Sequence, residues 1–134
     1  MVVEYFDGAG LLEPHGYRHS SRAAGVVHIA GQVGVDAEGR RVGERGDYAA
    51  QAEKAMDNVL LAFAGAGAGP EHIAHLTYYV VDLDAEKAEQ VNRGIGRTLR
   101  RHGMQSVPGT MIGITGLMYR PLLIEINGTA VVDG

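Results

Sequence analysis

Among the side chains that could move a proton, the one in the most unusual setting is Glu125, within the apolar run LLIEINGTAVV. Ile124 and Ile126 flank it, so in a strand its carboxylate points to the face opposite theirs. Such a carboxylate is either solvated at an edge or a general acid/base in a site. The histidines His15, His19, His28, His72, His75 and His102 show no ligand spacing of a metal site. His72 and His75 would meet only on one helical face, and His75 opens a strand-like run. His28 alternates with apolar residues and reads as a packed or hydrogen-bonded imidazole. Ser20, Ser21 and Ser106 lack a nucleophile-elbow context. The chain has no cysteine, which excludes thiolate nucleophiles, disulfides and thiolate-rich metal sites. No metal and no cofactor are expected.

The elements that would position Glu125 follow from periodicity. Thr110 to Leu117 and Leu122 to Val132 are apolar runs separated by a segment holding Arg120 and Pro121, a pattern that predicts a β-hairpin. A short strand is expected around Val2 to Phe6. A longer one is expected over Val26 to Val35, with Val27, Ile29, Val33 and Val35 on one face. Gly31 interrupts that strand, marking either a bulge where a backbone or ligand comes close or tight packing under a helix. Asp36 to Gly46 reads as a loop.

Asp47 can cap a helix from Tyr48 to about Ala64, with the stripe Tyr48, Ala52, Ala55, Val59 and Phe63. Residues 64–70, AGAGAGP, follow that helix and carry no Lys-Ser/Thr pair, so they read as a helix stop and not as a phosphate loop. Ile73 to Val81 reads as a strand covered on both faces. Asp84 caps a second helix to about Arg101, with the stripe Ala88, Val91, Ile95 and Leu99. Its basic end, Arg97, Arg100, Arg101 and His102, complements the helix dipole. Asn92 lies beside the stripe, and a polar group near a buried face needs a partner.

A chain of 134 residues with 12 basic and 16 acidic side chains is expected to be one domain, residues 1–134, without general attraction to nucleic acid or anionic membranes. No run approaches the ~18 apolar residues of a membrane span, and a cytoplasmic location is the expectation. Apolar residues on both parities of the strands point to association between sheets of different subunits.

Taken together, several of these residues resemble the Rid family, also called YjgF-like or reactive-intermediate deaminases. They are the segment Gly16 to Gln32 with Tyr17 and a strand ending Ala30-Gly31-Gln32, Gln51 and Asn58 on the first helix with its small-residue end, Asn92 on the second, and LIEING where the family commonly has a VEIEA-like run. The resemblance spans roughly residues 14–132. It implies a chorismate-mutase-like α+β fold, a mixed sheet with two helices on one face, assembled as a homotrimer with clefts between subunits. In members that hydrolyse enamines and imines, a tyrosine, a backbone glycine, an asparagine, an arginine and a water-positioning glutamate line the cleft. The tyrosine matches Tyr17, the glycine Gly31, the asparagine Asn92 and the glutamate Glu125.

The arginine, which grips the substrate carboxylate, does not carry over: counted from Asn92 its place falls on Gly109, with Pro108 or Thr110 one residue either way. A frequent serine is Ala30 here, and the second glutamate of the last strand is Asn127. Charge-assisted bonds of such a clamp are worth about 1.5–3 kcal/mol each, so the classical 2-iminoacid deaminase activity is not expected.

The resemblance implies instead an enzyme using Glu125 and Tyr17 on an enamine, imine or keto-enol small molecule that is larger or uncharged. Gly109, Gly113, Met111 and Thr110 would provide room and wall, and Arg18 or His19 a substitute polar contact. The alternative is a catalytically inactive trimeric protein that binds a metabolite or a partner. A nuclease activity, ascribed to some members, is opposed by the net acidity and the lack of a basic stripe.

Overall fold

Both helices form where the apolar stripes predict them. In α1 (Tyr48–Gly65) the Asp47 carboxylate accepts the Ala50 N–H at 2.9 Å, and Tyr48, Ala52, Ala55, Val59 and Phe63 are all buried. The Phe63 carbonyl accepts the N–H groups of Ala66 and Ala68, and Gly67, at φ +84°, turns the chain away. In α2 (Ala85–His102) Asp84 accepts the Lys87 N–H at 2.8 Å, and the helix ends on Gly103 in the left-handed conformation. The basic end of α2 does more than face its own dipole. Arg97 and Arg101 pair with Glu53 of α1, and Arg101 also bonds Asp57.

The structure, a computed structural model, describes residues 2–133. Its seven-stranded mixed sheet has the order β1 (Glu4–Phe6), β2 (Ser20–Ala23), β3 (Val26–Ile29), β7 (Ile124–Val131), β5 (Ile73–Val81), β6 (Gly109–Ile114), with β4 (Gln32–Val33) paired to β7 beyond β3. Both helices cover one face. Leu76, Val80, Ile124, Ile126 and Ala130 are buried beneath them.

The last two runs do not form a hairpin. β5 lies between them, antiparallel to β7 and parallel to β6, so β5, α2 and β6 make a crossover unit. The near-continuous apolarity of β5 explains the arrangement: such a strand gains most from a ladder on each edge, and the central place provides both. The segment with Arg120 and Pro121 crosses the end of β5 instead of turning tightly.

The expected strand over Val26 to Val35 is two strands joined by a bulge. His28 faces Thr129, but four residues later Gln32 faces Ile126, only three residues back on β7. The extra residue lies at Ala30-Gly31 and reverses the parity. Val27 and Ile29 are buried before it, Gln32 and Gly34 after it, so Val33 and Val35 do not share a face with Val27 and Ile29. β2, which is short and polar, was not anticipated. Nor is β5 covered on both faces: within one chain Leu76 and Val80 are buried, whereas Thr77, Tyr79 and Val81 on the other parity are half-buried.

Candidate functional site

Glu125 stands on the face of the sheet that the helices leave open. It is directly opposite Tyr79 on β5 and Val33 on β4. The same face carries Thr77 beside Asn127, and across β6 it carries Thr110 and Ile112. The carboxyl group is half-buried, and removal from water pushes its pKa above the ordinary glutamate value.

The bulge brings Gly31 against it. A Cβ on Gly31 would lie 2.5 Å from Glu125 Cδ and 2.6 Å from Oε2. Of the two readings left open for this glycine, close approach holds; what approaches is the carboxylate. Three side chains hold the bulge in place, and a fourth fixes the strand it faces. Gln32 Nε2 donates to the Ala30 carbonyl at 3.1 Å and lies 3.1 Å from His19 Nδ1. His19 Nε2 is 2.7 Å from the Leu12 carbonyl, which can only accept, so the proton is on Nε2 and Nδ1 accepts from Gln32. On the other side of β4, Asn58 Nδ2 donates to the carbonyls of Val33 and Val35, both at 2.9 Å. Gln51, fully buried on α1, donates to the Pro121 carbonyl at 2.8 Å and accepts the Leu123 N–H at 2.9 Å, which fixes the approach to β7.

The remaining candidates separate into groups. Tyr17 is exposed and meets the His19 ring edge to face at 5.3 Å, its pKa raised first by desolvation and then by Asp7. Arg18 is committed elsewhere, to Asp7 Oδ2 at 2.7 Å and above the Tyr5 ring. His19 is buried with both ring nitrogens engaged, so it supports the bulge and does not offer a free polar contact.

Asn92, Gly109 and Met111 line a different cleft, of about 780 Å³, on the helix side of the sheet with Tyr78 and Met56. Asn92 is exposed at its mouth, not partnered at the buried face. Gly109 leaves no vacant space there, because a Cβ on it would lie 2.6 Å from the Tyr78 ring, and Gly113 is filled by Leu83 at 3.1 Å. By parity, Thr110 and not Gly109 shares the face of Glu125.

Glu125, Gly31 and Thr110 therefore belong to one face, and Asn92, Gly109 and Met111 to the other. Periodicity could not reveal Tyr79 or Gln32 as neighbours of the site, since strand order and the bulge decide both. Among the described residues, no group of three His, Asp or Glu side chains is placed to hold a metal.

A family model described as endoribonuclease L-PSP matches residues 11–132. The chain belongs to this family, also known as the YjgF or Rid family. Solved structures share the fold. The YjgF gene product of E. coli is 22% identical with a TM-score of 0.83, covering 96% of this chain and 98% of its own. E. coli TdcF, solved with bound serine, is 17% identical with a TM-score of 0.83, covering 96% and 98%. A protein of Rhodopseudomonas palustris described as a "probable translation initiation inhibitor" is 24% identical with a TM-score of 0.85, covering 99% and 100%. No curated protein matches the chain significantly in sequence.

Proposed function

We propose that this protein is a Rid-like enzyme that hydrolyses or tautomerises an enamine, imine or keto-enol small molecule, with Glu125 as the acid/base. The observation that carries the reading is a half-buried carboxyl group, its pKa raised by desolvation, held against the bulge at Gly31. Desolvation moves the carboxyl group from its ordinary range toward the pH at which the protein works, which favours a group that must both give and take a proton. In its acid form Glu125 protonates the enamine carbon, giving an iminium. As carboxylate it then takes a proton from the water that attacks the iminium carbon and passes that proton to the nitrogen of the resulting carbinolamine. It takes the hydroxyl proton as the C–N bond breaks, so that a carbonyl forms, ammonia leaves and the acid form of Glu125 is restored. Binding of serine by TdcF supports an amino-acid-like scale for the ligand.

The open sheet face is the surface for assembly. Ile112 and Val131 lie on it at 42% and 52% exposure, and packing three copies through it would cover them and place Glu125 at a subunit boundary. Tyr17 would then contribute to the cleft from its loop. An RNA substrate is disfavoured by the net charge of −4.

One observation favours a second reading, a trimer that binds a metabolite without turnover: neither Gly109 nor Thr110 supplies the family's carboxylate-gripping arginine. The deciding experiment assays ammonia release from a panel of enamines and imines generated in situ, with wild type and Glu125→Gln. Loss of at least 100-fold in kcat on Glu125→Gln is expected, in line with the usual contribution of general acid/base groups, about 10²–10⁴-fold. A panel that is never turned over, or turnover indifferent to Glu125→Gln, removes the enzyme reading. Sedimentation as a stable monomer removes the assembly.

A further inference from the structure

At the carboxyl ends of the parallel strands β5 and β6 lies a cavity of about 530 Å³ lined by Arg45, Val81, Thr115, Gly116, Leu117, Arg120 and Leu122. Crevices at the carboxyl ends of parallel strands are common ligand sites in α/β folds. This one is distinguished by two arginines. Among the described residues Arg45 and Arg120 form no ion pair, a state shared with Arg22, Arg41 and Arg100, but these two line the same cavity.

Both arginines sit on anchored backbone. Arg120 is in a turn closed by the Leu122 N–H donating to the Tyr119 carbonyl, and the next residue is tied to buried Gln51 through its carbonyl. Arg45 is in the turn before α1, where the Asp47 N–H donates to Glu44 and the Tyr48 N–H to Gly46. Thr115 adds a hydroxyl donor, and the space beside Gly116 is open. Two unpaired guanidinium groups with a hydroxyl on a fixed frame suit a carboxylate or phosphate.

Strand register relates one wall of this cavity to Glu125. Tyr79 is directly opposite Glu125, and Val81 is two residues further on the same face, a diagonal neighbour at about 7–8 Å. We propose that Arg45 and Arg120 form an anion subsite for a substrate whose reacting carbon lies at Glu125 and whose carboxylate or phosphate lies several bonds away. This rests on the reading of Glu125 as acid/base and deepens it. The family's arginine would grip a carboxylate next to the imine carbon; here the grip is on a distal anion, and the substrate class is an enamine or imine with an anionic tail.

The test has a binding arm that needs no turnover. Inorganic phosphate and glutarate are titrated by calorimetry into the full-length protein, wild type and Arg45→Gln/Arg120→Gln, with Arg93→Gln as the control on the outer face of α2. Thermal melts confirm that the exposed substitutions leave the fold intact. The double variant is expected to weaken binding at least tenfold, as loss of charge-assisted bonds implies, and Arg93→Gln to leave it unchanged. Preference for phosphate or for glutarate distinguishes the two anions.

In the kinetic arm, the double variant raises KM at least tenfold for panel members with a distal carboxylate, leaving neutral members and kcat unchanged. Anion binding unaffected by the double variant, absent from wild type, or weakened equally by Arg93→Gln overturns the subsite. If no panel member is turned over but phosphate binding depends on the pair, the subsite stands and the enzyme reading alone fails. If turnover is seen and anion binding is not, the reverse holds.

Discussion

Replacing Gly31 by alanine tests the contact on which the site is built. The added Cβ would sit 2.5 Å from Glu125 Cδ, roughly 0.9 Å short of the closest ordinary van der Waals contact of 3.4 Å. The bulge is held by Gln32, His19 and Asn58, so the carboxylate and not the backbone should move. Overpacking of this kind costs about 1–3 kcal/mol. For a chain of this size that lowers Tm by about 3–5 °C per kcal/mol, between the ranges for smaller and larger domains. A reacting group displaced by about 1 Å loses on the order of 100-fold in rate.

The assay is a double-mutant cycle with Glu125→Ala, read by thermal melts. Gly31→Ala should destabilise the wild-type background and have little effect once the Glu125 side chain is truncated, a coupling of about 1–3 kcal/mol. An equal penalty in both backgrounds would show that the clash is with something other than Glu125, and the contact argument would fail.

Three further outcomes are expected. Burial raises the pKa of Glu125 in the folded state above its ordinary 4.5, so the native protein binds that proton more tightly than the unfolded chain, and the ionised group lowers stability once the pH rises past that value. Glu125→Gln should therefore stabilise the protein at neutral pH, with the gain fading as the pH falls through the carboxylate range; a gain independent of pH would contradict the desolvation account. Gln51→Ala leaves the Pro121 carbonyl and the Leu123 N–H without their partner, at about 1–3 kcal/mol each, so urea melts should show a loss of about 2–6 kcal/mol. Thr110→Arg should be tolerated and should increase turnover of small 2-imino acids, whereas Gly109→Arg should collide with the Tyr78 ring and lower Tm; the opposite ranking would refute the assignment of faces.

Much of the framework was legible in the sequence because it is local. The caps at Asp47 and Asp84, the stripes of α1 and α2, the stop after Phe63 and the strand Ile73–Val81 depend on hydrogen bonds and side-chain spacing within a few residues. The arrangement Tyr17, Gly31, Asn92 and Glu125 could be matched to a family, and Glu125 could be singled out as a carboxylate with apolar neighbours. These elements and the unusual acid are set by neighbours in the chain.

What that acid faces depends on strand pairing across the whole chain. A hairpin over the last two runs satisfies local pattern as well as the observed crossover does; placing β5 between β6 and β7 is settled by which strand gains from two ladders, a non-local matter. The single extra residue at Ala30-Gly31 reverses the parity of everything after it, which no alternation rule could foresee, and it carries Gly31 to Glu125. The same ordering puts Thr110 on the face of Glu125 and fills the space at Gly109 with Tyr78. Strand pairing fixes which side chains share a face, and the sequence specifies pairing only through contacts between residues far apart in the chain.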